Sequence, residues 1–543
     1  MADYRYAVGT VARRTTTGVQ TVTGISDALG LFTGKAVLLY GTVQASDGFT
    51  SNAYMFTGVS DGLTEFSCGC WANTGDSSPS IAWTNLITNP SLLTIPQEAT
   101  QTTTAYSANN VVFAEGSFSF TWSASADTDP FDLHYVVFGG NDLFAEVGIA
   151  IDPVTTPAPV TTTLGMARQI TALLTLGVPG TGSQVYAIPI NTTDPWPNVG
   201  LANAALDQGI VASSIGPAGI GNSTGYSYQN NANVQAKLSG SRNASLSTLG
   251  ALTDLGVGTL TVDYSAADGA SGFSDPAGFI YLAIAGPQVV VGSTNSPTAA
   301  APQTQTLTAG FTAGAMLAAT IGLASSGSVQ NNLGFSFGAA TPLATANVWI
   351  GSLQGQADSS TSRGRFTDRL LTMAAPAVAE GQTVVATGAA VFNGSGSPEI
   401  SWDLTNGTGR RFLYAIFEGA IAPPPTPTPG EEVTFPIRCV RRSPTVSSDG
   451  KRIRHVRLEL DCMVGQGNAD SPAPIMTLRT SDDNGSTWSS NRESSLGPVG
   501  AYRQKVKWYQ LGAAYNRTYE LVFTDAVDIC IVQAWLDLEG WDH

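Results

Sequence analysis

The chain has 543 residues, with 25 Lys and Arg against 41 Asp and Glu, a formal net charge of -16. Only 12% of residues are charged, and 43% are hydrophobic, so the composition is that of packed cores rather than of a charge-expanded disordered chain. The acidic balance argues against general nucleic-acid binding, because it repels phosphates. Apolar runs such as 279–285 and 316–323 are far shorter than the ~20 residues a membrane-spanning helix needs.

In chain order, the N-terminal MADYRYAVGTVARR has no apolar core before a cleavage site, and no secretory signal is expected. AVLLYGTV (36–43), AYMFTGVS (53–60) and SFSFTWSA (117–124) have the two-residue alternation or short apolar run of strands. FDLHYVVFGG (131–140) closes this stretch. The Pro- and Thr-rich DPVTTPAPVTTT (152–163) follows, and a comparable series begins again: ITALLTLGV from Ile170, GTLTVDYSA from Gly258, AGFIYLAIAG (277–286). After GSTNSPTAAAPQTQT (292–306) it recurs once more, with MLAATIGLA from Met316, LGFSFGAA from Leu333, GQTVVATGA from Gly381 and RRFLYAIFEG (410–419). Each series ends with a Tyr inside an apolar run and a Gly five positions later: Tyr135/Gly140, Tyr281/Gly286 and Tyr414/Gly419.

These matches predict an all-β chain with three tandem antiparallel β-sandwich repeats at 1–151, 164–291 and 304–421. APPPTPTPGEE (422–432) reads as a semi-rigid polyproline linker, before a β-rich C-terminal domain at 433–543. Short stiff linkers between tandem domains predict an elongated array. The matched tyrosines read as core aromatics, and TGYSYQNNANVQ (224–235) reads either as solvated turns or as a sugar-gripping loop.

Enzyme chemistry finds little to work with. Five cysteines, an odd number, and three histidines show no metal-ligand spacing, and neither a disulfide framework nor a metal or cofactor is expected. GVPGTGSQ (177–184) lacks the Lys of a phosphate loop, and GSGS (394–397) is turn-like rather than a nucleophile elbow. No catalytic residue is assigned.

The C-terminal segment differs in chemistry. Residues 433–543 hold 13 Lys and Arg and 13 Asp and Glu, while residues 1–432 hold 12 and 28, carrying the whole net charge. Such mixed charge with Arg, Tyr and Trp suits an interface, and Arg441, Arg442, Lys451, Arg452, Arg454 and Arg457 are the docking candidates. SDDNGSTWS matches an Asp-box at Ser481, Asp483, Gly485, Thr487 and Trp488. Its Ser and Asp would bond the turn backbone, Gly would supply a positive φ, and Trp488 is expected to plug the core. The adjacent Asp482 and Asp483 lack the separation of a glycosidase carboxylate pair.

The longer stretch 476–539 resembles the C-terminal part of the packaged-DNA stabilisation, or tail-nozzle, proteins of short-tailed bacteriophages. The resemblance rests on the Asp-box strand, the turn with Gly497, Gly500, Tyr502 and Arg503, the basic strand ending at Trp508, the turn at Leu511 and Gly512, Thr524-Asp525 with Val527, and a final strand with Ala534 and Leu536. Ala526 stands where the family often has Pro, and Lys505 and Lys507 stand near common Arg positions. The resemblance covers roughly the last hundred residues, about a fifth of the chain, and does not extend to the three repeats. It implies a non-enzymatic virion structural protein, assembled in the host cytoplasm, most simply a tail nozzle, fibre or adaptor docked through the C-terminal domain. Its partners would be other virion proteins and further copies of itself, with no membrane insertion and no sequence-specific nucleic acid. A receptor- or glycan-binding fibre, or a capsid decoration protein, is the second reading.

Overall fold

The computed structural model describes residues 2–51, 53–72, 82–87, 91–96, 104–125, 130–151, 158–178, 184–187, 194–217, 223–239, 245–266, 278–322, 330–331, 333–352, 361–375, 383–392, 397–404, 408–419, 439–448, 450–465, 472, 474–523, 525, 527 and 529–540. Among them are strands and turns and no helix; the chain is all-β. It divides into two compact units, Met1–Ala422 and Pro423–His543.

Three seven-stranded antiparallel sheets build the first unit, in one common order. The first runs Arg5–Ala12, Asp132–Gly139, Gly34–Gly41, Ala53–Ser60, Glu65–Ala72, Ala82–Ile87 and Gln184–Ala187. The second runs Phe144–Ile151, Gly278–Ala285, Ala172–Val178, Asp194–Asn203, Gln208–Pro217, Ser223–Asn230 and Gln330–Asn331. The third runs Val289–Asn295, Arg411–Glu418, Ala313–Thr320, Leu333–Ala340, Thr345–Ser352, Thr361–Phe366 and Gly48–Ser51. Each sheet therefore ends on a strand borrowed from another lobe: the second lends to the first, the third to the second and the first to the third, a closed cycle. A four-stranded sheet covers each, exemplified by Leu93–Pro96, Thr104–Ala114, Ser117–Ser125 and Gly18–Thr23 in the first lobe.

Strand chemistry follows these layers. Ser117–Ser125 buries Phe118, Phe120 and Trp122 and turns its serines and threonine outward, the alternation of a sheet wetted on one face. The apolar runs around Tyr135, Tyr281 and Tyr414 lie in the second strand of each large sheet and are covered on both faces. One face meets the lobe's own four-stranded sheet, as Leu39, Tyr135 and Val137 meet Phe118 and Trp122. The other joins a core shared by all three lobes, with Leu38, Val136 and Phe138, Leu174 and Leu282, and Leu317, Ala415 and Phe417.

That shared core corrects the expectation of an elongated array: residues 1–422 bury their apolar faces against one another, a larger reward than three separate sandwiches could gain. The sheets also part near residues 140 and 286, because Phe144–Ile151 pairs with Gly278–Ala285 and Val289–Asn295 with Arg411–Glu418. Of the expected linkers, 158–163 and 292–306 fall inside the second and third lobes and supply outer-sheet strands Pro159–Thr163 and Gln303–Thr306; 152–157 lie outside the described residues. The polyproline stretch 422–432 lies outside the described residues.

The matched tyrosines have a partner that sequence spacing did not reveal. Register sets Tyr135 opposite Gly9, Tyr281 opposite Gly148 and Tyr414 opposite Gly292, and a Cβ on any of these glycines would overlap the tyrosine ring and hydroxyl. In the 224–235 stretch, Tyr228, Gln229 and Asn233 are buried, which removes these three from any sugar-gripping surface.

Candidate docking surface

The second unit packs two sheets face to face. One holds Cys439–Arg442, Asn516–Phe523, Ile475–Ser481 and Arg492–Ser495, with Val446–Ser447 also on Asn516–Phe523; the other holds Val506–Ala514, Ile453–Cys462 and Ile531–Gly540. Leu458, Leu460, Met476, Leu478, Trp508 and Tyr519 fill the space between them.

The Asp-box residues converge on one turn. Ser481 Oγ donates to Asp483 Oδ1 (2.7 Å) and accepts from Gly485 N (2.7 Å). Thr487 donates to Asp483 from N (2.8 Å) and Oγ1 (2.6 Å). These bonds, those from Thr487 foremost, hold Asp483 down to about 2. Asn484 and Gly485 have positive φ, 59° and 94°. Asp482 turns away to take a bidentate pair from Arg517, at 2.6 Å on each oxygen.

Trp488 departs from expectation. It is half-buried, and its ring lies against two guanidiniums, Arg442 at 5.1 Å and Arg479 at 5.7 Å. The physical reason is Glu520. This side chain is fully buried, and cross-strand register places Arg442 on one side of it and Arg479 on the other. Arg442 Nε binds Glu520 Oε2 at 2.6 Å, and Arg479 Nε binds Oε1 at 2.9 Å. Burial alone would raise the carboxyl's pKa, but the two guanidiniums outweigh it and hold it below its ordinary value. Trp488 thus roofs an Arg–Glu–Arg cluster by cation–π contact instead of plugging the core; the buried indole here is Trp508, whose Nε1 donates to Arg492 O at 2.9 Å. Neither Glu520 nor Arg479 was singled out in the sequence, since their segments lie apart and only strand register joins them.

Two of the remaining docking candidates form register pairs across neighbouring strands of the smaller sheet. Arg454 pairs with Glu539 (3.3 Å) and Arg457 with Asp537 (2.7 Å). Arg452 reaches Ala513 O, and Lys451 is exposed. Arg441 borders a cavity of about 420 Å³ walled by Met476, Leu521, Phe523, Ile529 and Ile531.

Of the family-motif positions, Gly497, Gly500, Tyr502 and Arg503 share one turn, while Trp508 is buried and Asp525 lies on the last loop. Gly497 and Gly500 have φ of 82° and 86°, and Gly500 N bonds Gly465 O. The loop they bend presents Val499, Tyr502 and Arg503 to solvent. Asp525 Oδ2 accepts from Ile475 N at 2.6 Å, tying the last loop to a central strand; Thr524 is outside the described residues. Among the described residues, Ile531–Gly540 pairs only with Ile453–Cys462, and Val532, Trp535 and Leu538 are exposed.

In comparison with known families, residues 438–539 match the model described as bacteriophage P22 Gp10, beta-sandwich. The second unit is similar to that domain. No curated protein matches the chain.

Proposed function

We propose that the chain is a non-enzymatic structural component of a bacteriophage virion, in its tail as a nozzle, fibre or adaptor, and that residues 433–543 dock it to neighbouring virion proteins. The observation that carries this reading is the fit of residues 438–539 to the P22 Gp10 beta-sandwich family. Supporting it are the exposed Val499, Tyr502 and Trp535 and the edge of Ile531–Gly540 that no described strand pairs, since unpaired edges and exposed aromatics invite protein partners. The three lobes of residues 1–422 are read as copies of one domain, fused into a single block that the docking unit carries.

The test is assembly. A chain ending at Ala422 should be missing from purified particles, and the double variant Tyr502→Ala, Trp535→Ala should be incorporated several-fold less than wild type. Normal incorporation of the truncated chain would overturn the assignment and move the anchor to the first unit.

A further inference from the structure

We propose that the junction between the first and third lobes is a latch, the place where the three-lobed block opens, and that Arg365 fastens it. Chain connectivity singles this junction out. The first lobe runs into the second between Gly139 and Phe144, and the second into the third between Ala285 and Val289. No such turn joins the third lobe to the first; among the described residues, their contact is closed by side chains and by one borrowed strand.

That junction also carries residues without a counterpart at the matching positions of the other two. Arg365, on Thr361–Phe366, reaches across to Asp47 and Asp132 of the first lobe, at 2.6 Å each. Thr367 adds bonds from N and Oγ1 to Asp47. Both ion pairs link the third lobe to the first. Register identifies the matching positions elsewhere: Arg365 faces Val348, as Gln229 faces Val211 and Leu86 faces Cys68. The cation thus occurs in one lobe of three.

Two tyrosines follow the same pattern. Tyr40 donates to Ala346 O and Tyr6 to Glu418 O, both at 2.9 Å and both from the first lobe into the third. The positions matching Tyr40 hold Leu176 and Ala319, and those matching Tyr6 hold Ala145 and Val289, none of which can donate such a bond. Phe49, on the borrowed strand Gly48–Ser51, packs edge-on to Trp349 and Phe366 of the third lobe. A junction without a covalent connection loses more on opening, because its parts are not held at high effective concentration by a short tether, and directed polar bonds offset this.

Amide hydrogen exchange on the full chain tests the latch. Arg365→Gln installs the residue that already stands at the matching position of the second lobe. Amides of 48–51 and 362–366 should then exchange at least tenfold faster, with 82–87 and 184–187 unchanged. A disulfide between Ser51→Cys and Ser362→Cys, which are register partners, should cancel the acceleration. Unchanged exchange at 48–51 and 362–366, or equal acceleration at all three junctions, overturns the proposal. If Arg365→Gln does not fold, wild-type exchange in low urea decides: opening of this junction below the global transition supports the latch, and exchange only through global unfolding refutes it.

Discussion

His134 is wholly buried in Asp132–Gly139, with Nδ1 2.8 Å from Thr10 Oγ1 and Nε2 unpartnered. Burial first, and the charge of Arg365 second, take its pKa from 6.5 down to about 3. Unfolded His134 accepts a proton below about 6.5, whereas the native ring accepts one only near 3. Between these values the unfolded state binds more protons, so stability falls as the pH falls. At roughly 1.4 kcal/mol per pH unit, the penalty is about 3 kcal/mol at pH 4 and approaches about 5 kcal/mol at pH 3. The matching positions in the other lobes hold Ile280 and Leu413, both fully buried, so His134→Leu asks the core for a side chain it already accommodates nearby. At pH 7 the variant should lie within about 1 kcal/mol of wild type, the range of a volume-conserving core exchange less one hydrogen bond. Its advantage should then widen by about 3 kcal/mol on going to pH 4. Urea unfolding of the two full chains at pH 7, 5.5 and 4 measures this, and the difference cancels the acid response of His455, whose pKa burial lowers to about 4 in the second unit. A difference between the chains that stays constant across that pH range would show that His134 is protonated in the native state and that the burial argument fails.

Gly148→Ala should destabilise the first unit by roughly 1–3 kcal/mol in calorimetry, because its Cβ would enter the space of Tyr281. Trp488→Ala should cost only about 1 kcal/mol, the worth of a partly exposed cation–π contact, and Trp508→Ala roughly 3–5 kcal/mol, as for a buried aromatic; equal losses in the second unit's melting would contradict the assigned places. Glu520→Gln should cost about 2 kcal/mol at pH 7, since it strips the charge from a buried carboxylate with two Arg partners. Because the native pKa of Glu520 is lowered, its contribution is present above about pH 4.5 and lost as the pH falls through the native value, so the variant and wild type should converge in acid.

Strand identity was legible where pattern is local. The alternation in Ser117–Ser125 and the unbroken apolar runs at Tyr135, Tyr281 and Tyr414 announce half-buried and fully buried strands respectively. Lobe boundaries were not, because Pro and Thr are as much at home on an outer strand such as Pro159–Thr163 as in a linker, and only pairing tells the two apart. The cyclic strand loan was invisible for a related reason: Gly48–Ser51 and Gln184–Ala187 carry no signal of which sheet will receive them. Around Trp488, the Asp-box spacing specified a turn, but where the indole then lies depends on Arg442, Arg479 and Glu520, which come together only through register. In sequence each of the three reads as an ordinary surface charge.

Around the common core of the first unit, one structural position is filled by Tyr40, Leu176 and Ala319, a large, a medium and a small side chain. A homotrimer must solve its axis with one residue repeated three times, so every choice is tripled: three tyrosines would crowd a close-packed interior and three alanines would leave it hollow. Fusion into one chain lifts that constraint, because volume given up by one lobe can be taken by its neighbour. Each lobe can then be fitted to its own neighbour, and the three junctions need not be interchangeable.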